Sequence, residues 1–150
     1  MESKIGLAGL CLMLLAASFP VAATLGEDVR SVIVDQKQME ATLQITDAGK
    51  FAVHTIHLPS GTAVRQYVAP TGLVFAVSWQ GPSLPDLRQV LGRYFNQYAE
   101  AVKSHGAGGG ARAVLQPDLV VQSGGRMRSF TGRAYVPQLL PQGVLAEEIK

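Results

Sequence analysis

The sequence predicts an α+β domain in which an antiparallel sheet of four to six strands carries one long amphipathic helix on one face. Two observations lead to this fold class. Short runs of β-branched and aromatic residues end in Pro- or Gly-containing stops, which is typical of strands joined as antiparallel neighbours. An apolar stripe with spacings of three and four residues follows them, as expected for an amphipathic helix. Strands that precede a single helix in this way favour a layered α+β fold.

The strand signals lie close together in the first half of the chain. Ala41 to Thr46 alternates in polarity and predicts one strand, with Asp47 to Gly49 as its turn. Before it, Asp28 to Glu40 fits either a strand or a short helix, and a helix capped by Asp28 is favoured. Three further runs predict a meander of antiparallel strands: Phe51 to Leu58, Thr62 to Ala69 and Leu73 to Trp79.

The clearest helix is predicted from Leu84 to Lys103. Ser83 is placed to cap its first turn, and Gly92 in its interior is explained if the sheet approaches closely there. The apolar face is expected to meet strand residues such as Phe75, Val77 and Trp79. That face consists of seven residues: Leu84, Leu87, Leu91, Tyr94, Phe95, Tyr98 and Val102.

A glycine-rich stretch, His105 to Ala111, follows the helix and is interpreted as a flexible break. It lacks the Gly-Lys-Ser/Thr ending of a phosphate-binding loop and does not follow a strand. Leu119 to Gln122 and Arg126 to Val136 then predict a hairpin that turns at Ser123 to Gly125. Gly132 is interpreted as a bulge in the second of these strands. A Pro-interrupted tail with an acidic cluster ends the chain.

The first 23 residues have the pattern of an export signal. Lys4 supplies a positive start, and Ile5 to Phe19 is an apolar run shorter than the roughly 20 residues that span a bilayer. Pro20 and the small residues up to Ala23 predict cleavage after Ala23. The domains expected are therefore a signal peptide, residues 1–23, and a single α+β domain, residues 24–150, with no permanent membrane span.

Composition narrows the chemistry of the exported domain. The single cysteine, Cys11, lies in the predicted signal, so the domain is expected to lack disulfides, thiol catalysis and thiolate metal sites. The net charge of +2 is too small to indicate a nucleic-acid partner. No catalytic set, metal site or cofactor is predicted.

Two features have both a catalytic and a structural interpretation. His54 and His57 lie three apart in a predicted strand, so their side chains are expected on opposite faces, one partly buried and one solvated. Ser60 lies in a predicted hairpin turn rather than in the elbow of a hydrolase nucleophile. A small hydrolase or metal-dependent enzyme using His54, His57 or His105 remains the alternative.

Two groups of residues are candidates for binding. Arg126 and Arg128 are expected to share a face of the C-terminal hairpin, where they would meet phosphate or carboxylate groups. Arg133 adds to this charge. The second group surrounds the corner between the last meander strand and the helix, where an architectural role is favoured over a shallow binding groove. Its residues are Trp79, Gln80, Asp86 and Arg88.

Two segments, LPSGTAVRQYV and GLVFAVSWQGPSLPDLRQVLGRYF, resemble an uncharacterised family of small exported proteins from Gram-negative bacteria. The resemblance covers Val29 to Val102, and its most specific part is the run from Phe75 to Leu87. The resemblance implies a periplasmic or secreted location. Because the family is known only as a domain of unknown function, no catalytic residue can be assigned from it.

The function that these features favour is a non-enzymatic exported envelope protein that binds an envelope protein or polymer. The basic hairpin and the Trp79 corner are the expected surfaces. A structural subunit, whose apolar helix face is completed only in an oligomer, is a further alternative.

Overall fold

A computed structural model of the chain describes residues 25–29, 42–104 and 112–150. Three sequence predictions fall wholly or mostly outside these residues. They are the signal peptide, the helix or strand from Asp28 to Glu40, and the glycine-rich break from His105 to Ala111.

Seven antiparallel strands form one sheet in the described part of the chain, in the order β1-β2-β3-β4-β7-β6-β5. The first four strands form a meander, and the chain then returns to add β7, β6 and β5 beside β4. The strands are β1 (Thr42–Asp47), β2 (Ala52–His57), β3 (Ala63–Val68), β4 (Val74–Gly81), β5 (Arg112–Leu115), β6 (Val120–Arg126) and β7 (Ser129–Tyr135).

The predicted count of four to six strands is therefore wrong. The additional strand is β5, which has only four residues and directly follows the glycine-rich stretch. Its sequence, Arg-Ala-Val-Leu, lacks the alternation of polar and apolar residues that identifies a strand in sequence. The antiparallel meander of β2, β3 and β4 is confirmed, with each predicted boundary within two residues of the observed one.

The helical segment is shorter than predicted and is not one regular helix. It consists of α1 (Leu87–Leu91), a 3₁₀ turn (Gly92–Tyr94) and α2 (Phe95–Ser104). The φ angle of Gly92 is 52°, a left-handed value that ends α1, so the glycine marks a break rather than a close approach of the sheet. Within the described residues, no helix is long and apolar enough to cross a membrane.

The predicted helix cap is also corrected. The N-cap of α1 is Asp86, whose Oδ1 accepts a hydrogen bond of 2.9 Å from the backbone N–H of Arg88. Ser83 instead contacts the β2–β3 turn, since its carbonyl oxygen accepts a hydrogen bond of 2.7 Å from the fully buried Thr62 hydroxyl. The predicted start at Leu84 is wrong because the Pro-containing segment before Asp86 forms this contact outside the helix.

The C-terminal hairpin turns later than predicted. β6 continues through Gly124 and Gly125, and the loop consists of Met127 and Arg128 because Arg126 pairs directly with Ser129. Arg128 accommodates the turn with a φ of 65°. Gly132 is not a bulge either, because its pairing with both neighbouring strands is regular. The irregular pairing lies between β3 and β4, at Tyr67 and Val68.

One face of the sheet packs against the helical segment. Leu91, Tyr98 and Ala101 from the helices form a single apolar cluster with sheet residues that include Val77 and Trp79. Leu25, which is fully buried, joins this cluster from the described N-terminal segment. We call this side the helix face.

The opposite face is covered by the C-terminal tail, residues 136–150, which includes 3₁₀ turns at Pro137–Leu139 and Ala146–Glu148. Val144 and Ile149 of the tail pack on the aromatic cluster of Phe51, Tyr67 and Phe75. We call this side the tail face. The expectation that the helix would meet Phe75 is therefore wrong, because that ring lies on the side away from the helix.

Candidate functional site

The described residues contain an open cavity of about 460 Å³ over β5, β6 and β7, next to the end of the tail. Its volume falls within the range of about 300–1,000 Å³ typical of small-ligand sites. Every charged side chain that lines it is basic. We call it the cationic groove and define it by its lining residues: Arg112, Ala113, Gln122, Ser123, Gly124, Thr131, Gly132, Arg133, Ile149 and Lys150.

The register of the sheet explains why four of these residues lie side by side. Gln122 lies opposite Arg133, and Gly124 lies opposite Thr131. Since side chains two apart in a strand share a face, all four positions belong to the tail face. Gly124 has no side chain, which leaves space above the strand. The backbone pairing of β6 and β7 therefore forms the floor of the groove, and the tail forms one wall.

Arg133 is the most constrained basic residue of the groove. Its Nε donates to Gln122 Oε1 at 2.8 Å, and its Nη1 donates to the carbonyl oxygens of Ala146 at 2.7 Å and Ile149 at 3.2 Å. These three bonds hold the guanidinium between the sheet and the tail. Among the described residues, the hydrogen bonds of this guanidinium use Nε and Nη1 and none uses Nη2. A guanidinium that is already fixed loses little side-chain entropy when it binds an anion.

Three other arginines extend the positive charge. Arg112 lines the groove on the edge strand β5, and Arg126 is two residues beyond Gly124 on the same face of β6. Arg128 follows in the exposed hairpin loop. Among the described residues, the ion pairs join Arg93 to Glu27 and Lys103 to Glu100, so neither these three arginines nor Arg133 forms an ion pair with a described carboxylate side chain.

The wall of the groove is anchored by Lys150. Its backbone oxygen accepts hydrogen bonds from Tyr67 Oη at 2.6 Å, from Ser78 Oγ at 2.7 Å and from Arg65 Nη1 at 3.5 Å. Its backbone N–H donates to Tyr67 Oη at 2.9 Å. Because Ser78 lies directly opposite Arg133 in the sheet, this anchor and the Arg133 contacts hold the tail from adjacent strands.

The structure places two of the predicted corner residues close to the groove. Gln80 is exposed on the tail face and lies opposite Thr131, which lines the groove. Trp79 is only 1% exposed and faces the other way, where its ring packs against Gly132. Trp79 therefore supports the floor of the groove from below and presents no ligand-accessible wall in this structure.

Asp86 and Arg88 do not line the groove. Asp86 caps α1, as described above, and the Arg88 guanidinium lies 4.6 Å from the centre of the Phe95 ring. That distance is within the range of a cation–π contact. Both residues therefore have contacts within the helical segment that account for their positions.

The two described histidines lie on opposite sides of β2, as predicted. His54 is 8% exposed on the helix face, and burial lowers the pKa of its imidazole. His57 is exposed at the end of the strand. In residues 25–29, 42–104 and 112–150, no group of three or more His, Cys, Asp or Glu side chains is placed to hold a metal ion. His105 lies outside these residues.

Ser60 occupies an exposed turn between β2 and β3, which is the position that the sequence predicts. The turn is closed by a backbone hydrogen bond of 2.9 Å from Leu58 N–H to the Thr62 carbonyl oxygen. Its place in the turn agrees with a structural role for the serine.

Sequence reasoning missed Arg112 and Gln122 as site residues. Each carries a polar or charged side chain, and polarity or charge alone does not distinguish a binding residue from an ordinary surface residue. One signal was available, because Gln122, Gly124 and Arg126 alternate within a single strand. Using that signal required knowing that the strand continues through the two glycines.

Comparison with known protein families matches residues 21–149 to the family described as "Protein of unknown function (DUF2844)". The match includes the basic hairpin and the tail, which lie beyond the segment on which the resemblance was based. No curated protein and no solved structure matches the chain. The protein therefore belongs to this family of unknown function.

Proposed function

We propose that the protein is an exported, non-enzymatic envelope module that binds an anionic polymer along the cationic groove. The N-terminal pattern of residues 1–23 supports export, and a periplasmic or secreted location in a Gram-negative bacterium is part of the proposal. The single observation that carries the binding role is the cavity of about 460 Å³ whose charged lining side chains are all basic.

The chemistry of arginine specifies the kind of ligand. A guanidinium presents N–H donors in a planar fork that matches carboxylate and phosphate oxygens. Arg133 is already oriented by Gln122 and the tail, and Arg112 borders the same cavity. One acidic sugar or phosphate group would therefore fit within the groove.

The arginines outside the cavity favour a polymer over a single small anion. Arg126 follows the groove along β6, Arg128 lies at the exposed tip, and neither forms an ion pair with a described carboxylate. Gln80 adds an exposed amide beside Thr131. Positive charge thus continues from the cavity to the end of the sheet, which matches a ligand with repeated negative groups.

The proposal is tested by titrating the protein with three probes. The protein is purified after the expressing cell has had the opportunity to cleave the expected signal peptide. Polygalacturonate supplies carboxylates, polyphosphate supplies phosphates, and dextran is the neutral control. We expect binding to at least one anionic probe, weakening as salt is raised, and no binding to dextran. The double variant Arg112→Ala/Arg126→Ala is expected to bind at least about tenfold more weakly.

The matched control is Arg93→Ala/Lys103→Ala, which removes the same two charges from the helical segment. It should bind like the parent protein, because neither residue borders the groove. Equal weakening in both double variants would mean that net charge alone drives binding, and the proposed site would be wrong. No binding to either anionic polymer would refute the polymer proposal. Capture of one envelope protein that depends on Arg112 and Arg126 would then favour the protein-partner alternative.

A further inference from the structure

In the described part of the chain, the strand β1 is an open edge of the sheet. It lies at one end of the sheet order, and in the described part of the chain it pairs only with β2. Five of its six residues are exposed, and Ile45 retains 60% of its accessible surface. Edge strands of soluble proteins are usually protected by lysine, proline, a bulge or a short length. Thr42–Asp47 has six residues with no lysine, proline or bulge, and its one charged residue, Asp47, is the last of the strand.

The opposite edge of the sheet is different. β5 has four residues and begins with Arg112, and α2 packs beside it. A short, charged and partly covered strand has little backbone available for pairing. Among the described residues the two edges therefore differ in protection, and β1 is the edge with backbone available to a further strand.

The hydrogen-bond alternation of the β1–β2 hairpin identifies which groups of β1 are open. The hairpin is closed by a bond of 2.9 Å from Ala48 N–H to the Phe51 carbonyl oxygen. Since hydrogen-bonded positions alternate in an antiparallel pair, Thr42, Gln44 and Thr46 bond to β2. The N–H and C=O groups of Leu43 and Ile45 must then point away from β2, toward the open edge.

The residues around these groups are chemically symmetric. Thr42 to Thr46 reads threonine, apolar, glutamine, apolar, threonine, with Gln44 at its centre. In an antiparallel pair of two such strands related by a two-fold axis at Gln44, threonine lies opposite threonine and Leu43 lies opposite Ile45. Side chains of both copies keep the same faces, because opposite residues then differ by an even number of positions. The pairing places no like charges opposite each other.

We propose that two copies of this chain pair through β1 in this register, which joins their sheets edge to edge. The outward N–H and C=O groups of Leu43 and Ile45 would exchange hydrogen bonds with those of the second copy. The same side chains would form an apolar strip across the junction and cover the exposed part of Ile45. The two Gln44 amides would lie opposite each other at the axis. This pairing is independent of the cationic groove, which lies on strands β5 to β7.

The register makes a charge-exchange test possible. Sedimentation velocity of the processed protein over a concentration series should show a monomer–dimer equilibrium. Gln44→Lys alone or Gln44→Glu alone places two like charges opposite each other and should raise the dimer Kd at least about tenfold. A mixture of the two variants places Lys opposite Glu and should restore the dimer as a heterodimer.

A matched control is Leu115→Lys, which adds a charge at an exposed position, 70% accessible, on the opposite edge strand. It should dimerise like the parent protein. A parent protein that stays monomeric at its highest soluble concentration would overturn the proposal. A dimer that persists in both single Gln44 variants, or one that the mixture fails to restore, would also overturn it. Circular dichroism of each variant shows whether the fold is retained.

Discussion

Gly132 is the position on β7 where the ring of Trp79 lies against the backbone, and Gly132→Ala places a methyl group in that contact. An ideal Cβ at this position overlaps the Cζ2 atom of the Trp79 ring and lies 2.8 Å from the carbonyl oxygen of Gln122. Neither neighbour can move freely. Trp79 is 1% exposed, and the Gln122 backbone belongs to β6, which pairs with β7 at this position. The substitution therefore forces the sheet or the helix-face core to shift.

The expected magnitude follows from two opposing effects. Overpacking a core costs about 1–3 kcal/mol, and the upper end applies here because both neighbours are constrained. Alanine also reduces the conformational freedom of the unfolded chain, which stabilises the protein by about 0.4–1 kcal/mol. The net effect is a loss of about 2 kcal/mol in the free energy of unfolding.

A double-mutant cycle with Trp79→Leu tests the cause. Without the indole ring, Gly132→Ala should cost less than about 0.5 kcal/mol, so the coupling energy should approach 2 kcal/mol. Urea unfolding must be followed by circular dichroism, because Trp79 is the only tryptophan and its fluorescence is lost in the variant. If Gly132→Ala costs the same in both backgrounds, the Trp79 contact is not the reason for glycine at this position.

Two further predictions concern buried groups on the two faces of the sheet. Burial lowers the pKa of His54, so the unfolded chain takes up its proton at a higher pH than the folded protein. Stability should therefore fall as the pH drops below the ordinary value of 6.5, and His54→Gln should reduce this dependence. On the tail face, Ile149→Ala should cost about 2–5 kcal/mol because its side chain is 98% buried against the aromatic cluster, whereas Leu145→Ala, at a site 64% exposed, should cost almost nothing. Thermal or urea unfolding measures both effects, and equal losses in the two tail variants would show that the tail does not cover the sheet as described.

The elements that sequence reasoning identified correctly are those with a strong local pattern. Three strands ending in Pro- or Gly-containing stops, and a stripe of Leu and aromatic residues, depend only on neighbours within one element. The errors occurred where a distant contact decided the outcome. Ser83 looked like a helix cap, but Thr62 engages it, so the helix begins at Leu87 with Asp86 as its cap.

Glycine was the residue whose role was hardest to predict. Gly124 and Gly125 looked like a turn, yet both lie within β6, and the hairpin turns at Met127 and Arg128. Gly132 looked like a bulge, yet it is a regular strand position that Trp79 requires to be small. For Gly125 and Gly132 the reason for glycine lies in another strand, and no local pattern reveals it.

The candidate site was predicted only in part. Arg126 and Arg128 were identified from their charge, and Gln80 from its place after a strand. Arg112, Gln122 and the tail wall were not, since each lies in a separate segment. Their meeting depends on the pairing of β5, β6 and β7 and on the tail crossing the sheet.

The sequence by itself determined the polarity pattern of most strands, the amphipathic character of the helical segment, and the concentration of arginine near the C-terminal hairpin. These are properties of single segments, because side-chain periodicity and charge are local. Only the tertiary structure decided that β4 pairs with β7, that the tail rather than a second helix covers the aromatic face, and that Arg112 and Arg133 border one cavity. Those features depend on contacts between residues far apart in the chain, whose register is set by side-chain packing across the sheet rather than by any one segment.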